Sequence, residues 1–593
     1  MSEFFATLPP GMPLILGAFL FPVLPKRLQQ VWLPLLPIVS FLHLWYGFPE
    51  THGLLEGTKY ETTYIYTMQL FNYTITPIRI DSLAMVWGVV FHIAAVLGGI
   101  YSMHVDDDSL QHVAGMSYAG AAIGAVFAGD LATLFVFWEL TAITSVFLIW
   151  ANRTDTAYTV GLRYLIIQVM SGVILLAGLL LRLSEGGGLD FAMVNDGASW
   201  ELGETWTWLI LLSFGIKAAF PFLHNWLQDA YPAGTVTGTV FLSAFTTKLA
   251  IYALCRGFAG NGEVLIPIGA VMTAFPIFFA VMENDLRKVL SYSLNNQLGF
   301  MIVGIGIGTP LAINGAAGHA FAHIIYKGLL FMGVGAVLHR TGTAKCTELG
   351  GLARSMPYTT FFTIVGAMSI SAFPLFSGFV TKSMVLSAAA HEQMAIVYLV
   401  LVFASAGVMD HSGIKVPYFA FFAHDSGKRP QRAPLNMLVA MGLAAALCIG
   451  IGIYYQPLYA MLPLEVHHAY VPYSAPHVVT QYQLLLFSAL AFVFLQKTGL
   501  YPDEVRAQIL DFDWTYRRAI PSVVRKVYGG LSAVRDISEL RARHRLADLN
   551  EFMRRYNGPG GIMSQTWPTG RTAWWAALIL GVFVLTEIIR IHG

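Results

Sequence analysis

The feature that most constrains this chain is the recurrence of apolar blocks of roughly 20 residues, joined by short polar connectors, along almost its whole length. A bilayer core about 30 Å thick takes about 20 apolar residues to cross as a helix. Inside it, every backbone donor and acceptor must be satisfied within the structure itself. Composition decides against a soluble alternative. Of 593 residues, 56% are hydrophobic and only 12% charged, where ordinary soluble domains carry about 25% charged residues. A soluble protein this apolar would have nothing to put on its surface, so the expectation is an all-α polytopic membrane protein. The net charge of +1 points to neither nucleic acid nor an anionic partner.

Sixteen spans can be drawn, over about 9–25, 29–49, 79–103, 112–128, 130–150, 158–183, 206–222, 234–258, 264–282, 289–308, 311–339, 357–375, 377–405, 434–454, 481–497 and 572–590. The N-terminal stretch has no basic region and no small-residue cleavage site, so it reads as the first span rather than a cleaved signal peptide. Lys26 and Arg27, Arg153, Arg287 and Lys288, Arg340, Lys345 and Arg354, and Lys428, Arg429 and Arg432 all fall in loops of one parity. The positive-inside bias puts those loops in the cytoplasm and both termini outside. Cys255, Cys346 and Cys448 stand far apart without CxxC spacing, so no disulfide framework, iron–sulfur ligation or zinc site follows from them.

Residues 499–571 break the pattern. Asp513 and ten basic residues between Arg517 and Arg555 alternate with Trp514, Tyr516, Tyr528, Leu531, Leu540, Leu546 and Phe552. This is a basic amphipathic segment, read either as a helix at the lipid headgroups or as a lateral helix running along neighbouring subunits before the last span anchors it. Pro521, Gly529 and Gly530 argue against one unbroken helix.

Ionisable side chains inside spans are costly and usually functional. Glu139 lies mid-span in DLATLFVFWELTAITSVFLIW, with a carboxyl bonded to a neighbouring helix as the plain alternative. Lys217 precedes Pro221, which opens a helix; the alternative is a lysine snorkelling from a helix end. Lys248 lies 14 residues beyond Gly234, about 21 Å along a helix and too deep for easy snorkelling. His319, His323 and Lys327 follow at i, i+4 and i+8, lining one helical face. Neutral imidazole both donates and accepts, so this spacing suits a proton relay. Metal binding by the His pair and histidines satisfied by helix–helix hydrogen bonds are the alternatives. Lys382 follows Pro374 and Gly378. Lys217 precedes its proline and Lys382 follows its own, as two repeats of opposite topology with midplane sites at interrupted helices would have it. The shared physics is that apolar burial disfavours an ammonium and a nearby carboxylate restores it. Moving or protonating the carboxylate then passes a proton along the row.

The stretches FVFWELTAITSVFLIW, GIKAAFPFLHNWLQDAYPAGTVTGTVFLSAFTTKLAIYALCR, NDLRKVLSYSLNNQLGFMIVGIG, GHAFAHIIYKGLLFMGVGAVLHRTGT and FPLFSGFVTKSMV resemble the antiporter-like family shared by respiratory complex I, membrane-bound hydrogenases and multisubunit (Mrp-type) Na⁺/H⁺ antiporters. The similarity covers roughly 115–405. Within the family, HSGIKVPYFAFFAHDSG and LDFDWTYRR resemble the D-type component of the Mrp-type antiporters. The tail and sixteenth span are similar instead to the lateral helix of the distal complex I subunit and of the A-type antiporter component. Asn295–Asn296 stand where the family usually has small residues.

The resemblance implies two inverted five-helix repeats with broken helices, here 112–258 and 264–433. They would follow N-terminal helices over 1–111 and precede helices over 434–498, a cytoplasmic segment over 499–571 and a final anchor over 572–593. It implies proton transfer through Glu139, Lys217, Lys248, His319, His323, Lys327 and Lys382, with Lys382 as the exit. The function expected is proton translocation within a cation/proton antiporter of a bacterial inner membrane, beside other membrane subunits and lipid. The alternative is a pumping subunit of a redox-driven complex, and a non-conducting membrane scaffold is a third class. No quinone, flavin or iron–sulfur motif is visible, so no cofactor, metal or catalytic site is expected in this chain, and a redox step would lie in a partner. Sodium needs oxygen ligands, and no buried carboxylate cluster accompanies Glu139, so sodium is expected to cross at another subunit.

Overall fold

The computed structural model describes residues 7–56, 63–105, 108–191, 199–466, 470–501 and 509–592. Residues 57–62 and 192–198, and residues 502–508 of the amphipathic tail, lie outside that set. The chain divides into two units, Met1–Ile509 and Leu510–Gly593.

The first unit is a helical bundle. Its principal helices are α1 (Met12–Ala18), α2 (Lys26–Gly47), α3 (Ser82–Ser102), α4 (Ser109–Val126), α5 (Leu131–Trp150), α6 (Asp155–Ser184), α7 (Thr205–Lys217), α8 (Asn225–Ala233), α9 (Val236–Ala244), α10 (Thr246–Gly257), α11 (Gly262–Met282), α12 (Leu286–Ile307), α13 (Pro310–Thr341), α14 (Pro357–Ile370), α15 (Ser377–His391), α16 (Ala395–Val408), α17 (Leu435–Ile453) and α18 (Ala475–Thr498). The second unit holds α19 (Ile520–Asn557) and α20 (Thr569–His592). Among the described residues, eleven helical stretches are long and apolar enough to cross a membrane, counting α9–α10 as one and extending α16 to Phe422. α1, α4, α7, α12, α14 and α15 are shorter or more polar than that test requires.

Local chemistry sets the helix starts. Asp81, Asp108, Asp130, Thr154, Thr235 and Asp285 each cap a helix with a side-chain oxygen that accepts an orphan N–H of the first turn. Two of these caps match in more than identity. Asp130 pairs with Asp190 in an isolated antiparallel bridge, and Asp285 pairs with Lys345 in another. Beside them, Leu131 N–H donates to Leu189 O and Leu286 N–H to Ala344 O, both at 2.9 Å. The same number of residues separates the members of each corresponding pair.

Four spans drawn from the sequence are cut short or interrupted. The chain leaves α7 at Lys217 and re-enters helix at Asn225, with Ala219 and Phe222 at φ of 60° and 70°. It leaves α14 at Ile370 and resumes at Ser377, with Ala372 and Leu375 at φ of 56° and 76°. The sequences are Ala-Phe-Pro-Phe and Ala-Phe-Pro-Leu. Proline forbids continuation of the helix, and residues three apart absorb the reversal in left-handed backbone. The stretch drawn as a single span over 377–405 is therefore two helices: α15 completes the broken helix begun by α14, and α16 is a separate helix. The span over 234–258 also breaks, at Phe245 (φ −104°, ψ −64°), between α9 and α10.

The bundle is organised around two elements. The apolar windows of α9–α10 and α13 are 100% and 94% buried, against 33% for α2 and 11% for α18. α13 packs on α3, α9, α12, α14, α15 and α17. Helices that are apolar all round belong in such a centre, and these two carry Lys248, His319, His323 and Lys327. One local exception to the all-helical plan is an antiparallel hairpin, β1 (Tyr64–Leu70) with β2 (Tyr73–Ile80). It runs directly into Asp81, which pairs with buried Arg256 at 2.8 Å.

In the second unit, α19 is continuous over 38 residues, against the sequence expectation of a break. Pro521 follows directly on a π-helical turn over Thr515–Ala519, and such a local change of the hydrogen-bond ladder is how a helix takes in a residue without an N–H. Gly529 and Gly530 face open space, so their cost is conformational alone, about 1 kcal/mol each. Glu539–Arg543 and Glu551–Arg555 pairs at i, i+4 offset part of it.

Candidate proton path

Lys217 ends α7, where the break aims its stem inward, and it is fully buried. Its ammonium donates to Trp138 O at 2.6 Å and to Thr141 Oγ1 at 2.7 Å, and lies 4.3 Å from the centroid of the Trp138 ring. Glu139, the next residue on α5, is only half-buried and interacts with Lys217 through charge. Among the described residues no ion pair within 4.0 Å joins the two. Glu139 Oε1 has no hydrogen-bond partner in the protein. It sits where a Cβ on Gly172 of α6 would be, 1.4 Å from that position. The glycine makes room for the carboxylate.

Lys248 stands in the first turn of α10, just past the break at Phe245. Its ammonium donates to Ser243 O at 2.6 Å, a carbonyl beside that break, and to Thr247 Oγ1 at 3.2 Å. The buried depth expected of it is observed, but along an interrupted helix.

On α13 the spacing delivers the expected single face. His319 contacts Gln297 Oε1 at 3.1 Å and Thr381 Oγ1 at 3.3 Å. Tyr326 OH donates to Gln297 Oε1 at 3.2 Å. The His319 and His323 ring centroids are 6.2 Å apart. Both ring nitrogens of His323, the Lys327 ammonium and the Lys382 ammonium are buried without a hydrogen-bond partner in the protein. Lys248 and Lys327 lie within electrostatic range of His323, and Lys382 within range of His319. Lys382 Nζ rests 4.4 Å from the centroid of the Phe300 ring. Such orphaned buried groups are rare in folded proteins, and here they cluster. The groups within electrostatic range of His323 include lysines of α10 and α13, and among the described residues no group of three or more His, Cys, Asp or Glu converges as metal ligands would.

Several polar groups escaped the sequence reading. Gln297 and Tyr326 bridge α12 and α13, and their signal was a polar run, Asn295–Asn296–Gln297, in mid-span. Asn295 donates to Ala219 O at 3.3 Å, so a residue of α12 satisfies a carbonyl of the first break. His411 and Lys415 lie in a π-helical stretch that continues α16, with Lys415 donating to Val281 O and Glu283 O at 2.6 and 2.8 Å. Both sit in the HSGIK motif, which was read for resemblance and not for chemistry.

A family profile described as "NADH:quinone oxidoreductase/Mrp antiporter, TM" matches residues 128–408. The D-type component of a Na⁺/H⁺ antiporter from Alkalihalophilus pseudofirmus is 30% identical over 57% of this chain and 71% of its own length. Hydrogenase-4 component B of Escherichia coli is 26% identical over 64% of this chain, which spans only 62% of that relative. A chain of the membrane-bound sulfane sulfur reductase, an archaeal respiratory membrane complex, superposes with a TM-score of 0.69 at 21% identity, covering 98% of this chain and 100% of its own. The chain is a multi-pass membrane protein, and it belongs to the NADH:quinone oxidoreductase/Mrp antiporter transmembrane family.

Proposed function

We propose that this chain is the proton-translocating subunit of a multisubunit cation/proton antiporter in a bacterial inner membrane. The observation that carries this reading is the buried row of Lys217, Lys248, Lys327, His323, His319 and Lys382, with a single carboxylate, Glu139, at one end. Several members of the row have polar atoms that no protein group satisfies, and burial without a partner costs several kcal/mol. A proton path filled by water accounts for that cost. Glu139 holds the charge on Lys217; protonating or displacing it sends the proton toward Lys248 and on through α13 to Lys382.

We further read residues 112–258 and 264–433 as two inverted repeats. The matched bridges at Asp130 and Asp285 and the matched Ala-Phe-Pro breaks support it. Five crossings per repeat turn the second upside down relative to the first. Residues 499–571 and α20 are assigned to assembly with neighbouring subunits.

The second reading, a pumping subunit of a redox-driven complex, is favoured by similarity to hydrogenase-4 component B and to the sulfane sulfur reductase chain. Purifying the complex from native membrane and identifying every co-purifying chain separates the two: small hydrophobic antiporter subunits support the first, hydrogenase or dehydrogenase chains the second. Reconstituted into liposomes with a pH-sensitive dye, the complex is expected to lose proton transport with Lys217→Ala. Unchanged transport would refute the row.

A further inference from the structure

Resting on the proton-path reading, one gap needs filling. Lys217 ends α7 and Lys248 begins α10, and each spends its ammonium on a different set of oxygens. We propose that Thr141, Ser145, Tyr164 and Thr246 form the hydroxyl relay that carries protons between these two lysines.

All four side chains are buried. Thr141 accepts from the Lys217 ammonium. Ser145 stands one turn further along α5, about 6 Å away, a distance that one water covers. Ser145 Oγ meets Tyr164 OH at 2.8 Å, and Tyr164 OH meets Thr246 Oγ1 at 3.5 Å. Thr246 opens α10 directly after the break, two residues before Lys248, and Lys248 donates to the adjoining Thr247.

Each contact along the chain lets either hydroxyl donate. Thr246 is tied in further: its N–H, a group the break has freed, donates to Tyr118 OH at 2.8 Å, and Tyr118 OH also meets Thr246 Oγ1. Thr141 and Ser145 rest as donors to carbonyls of their own helix, Trp138 O and Ala142 O, and each rotates to pass a proton on. A hydroxyl both donates and accepts. Each can pass its proton to the next oxygen as it takes one from the last. The net step moves one proton between the two nitrogens and leaves no hydroxyl charged. Rotation of the hydroxyls resets the chain for the opposite direction. A purely structural pin between α5, α6 and α10 would need the contacts but not hydroxyls that can exchange donor and acceptor roles.

The test uses the whole complex in liposomes. Tyr164→Phe and Thr246→Val are expected to slow proton transport roughly tenfold to a hundredfold with assembly unchanged, while Thr246→Ser, which keeps the hydroxyl, retains near wild-type rate. Wild-type rates in Tyr164→Phe and Thr246→Val, alongside inactive Lys217→Ala and Glu139→Gln, would overturn the relay and leave the proton path standing. If those two variants were also fully active, the path itself would fall. Should Tyr164→Phe not assemble, the Thr246 pair decides: equal loss with Val and Ser counts against the relay, and loss with Val alone counts for it.

Discussion

At the first Ala-Phe-Pro break, Lys217 closes a helix and gives two ammonium hydrogens to fixed oxygens, with a carboxylate within electrostatic range. At the second, Lys382 stands in the second turn of α15, with an aromatic face beside it and no hydrogen-bond partner in the protein. The backbone of the two breaks is nearly the same; the chemistry around the ammonium is not. One device, a proline reversal inside a span, leaves an ammonium anchored in one place and unanchored in the other. What differs is the count of oxygens within reach. A three-donor ammonium anchored twice has less to gain from passing water than one resting on a ring.

The largest effect is expected where the anchored side loses its charge partner. Glu139→Gln keeps the shape and should reduce proton-coupled transport at least about a hundredfold, with normal assembly on native gels. Normal assembly with normal transport would erase the contrast. Lys382→Arg should stop transport to a similar depth, because a guanidinium does not give up its proton. Transport by this variant would mean that the second break needs a charge rather than a release, and the two breaks would be alike after all. His319→Ala and His323→Ala should each slow transport about tenfold by removing one step of the row. Tight zinc binding by the wild type, lost in both variants, would instead favour a metal site.

Gly172→Ala should have a moderate effect, since its Cβ must push the Glu139 carboxylate aside. Transport several-fold lower with an unchanged melting temperature sharpens the claim that the carboxylate's position matters and not only its presence. The smallest effect is expected at the breaks themselves. Ala219→Gly and Ala372→Gly relieve left-handed strain of about 1 kcal/mol each, so the two should raise thermal stability alike. Unequal shifts would show that the breaks differ in backbone as well as in chemistry.

The apolar blocks made the membrane fold legible, and the intramembrane charges named the row of groups that the structure brings into electrostatic contact along α10, α13 and α15. The i, i+4, i+8 spacing of His319, His323 and Lys327 needed only helix geometry. What escaped was tertiary. Nothing in the local pattern at Phe245 marks a break, since no proline or glycine stands there, so the interruption beside Lys248 was invisible. In the 377–405 block the polar run His391–Glu392–Gln393 marks the boundary, but Gln393 at φ 56° ends α15 without a proline or glycine. Gln297 and Tyr326 were ordinary polar residues until packing set them against His319. In the tail, Pro521 reads as a breaker because nothing in the sequence announces the π-helical turn that precedes it.

Arg287 has a consequence of another kind. From the start of α12 its guanidinium donates to Tyr231 O, Pro232 O, Gly234 O and Thr235 O at 2.8–3.2 Å, and also to Thr239 Oγ1. These carbonyls close α8 and precede α9; Tyr231 O and Thr235 O also accept from Thr239, while Pro232 O and Gly234 O are met by a side chain made more than fifty residues later. Chains are made from the N-terminus at about 5–20 residues per second, so for several seconds of synthesis the end of the first broken helix has no arginine to meet. The order of manufacture thus leaves the far end of the first broken helix unfinished until α12 enters the membrane, and a ribosome that stops short of Arg287 releases a half whose α8 ends without its arginine.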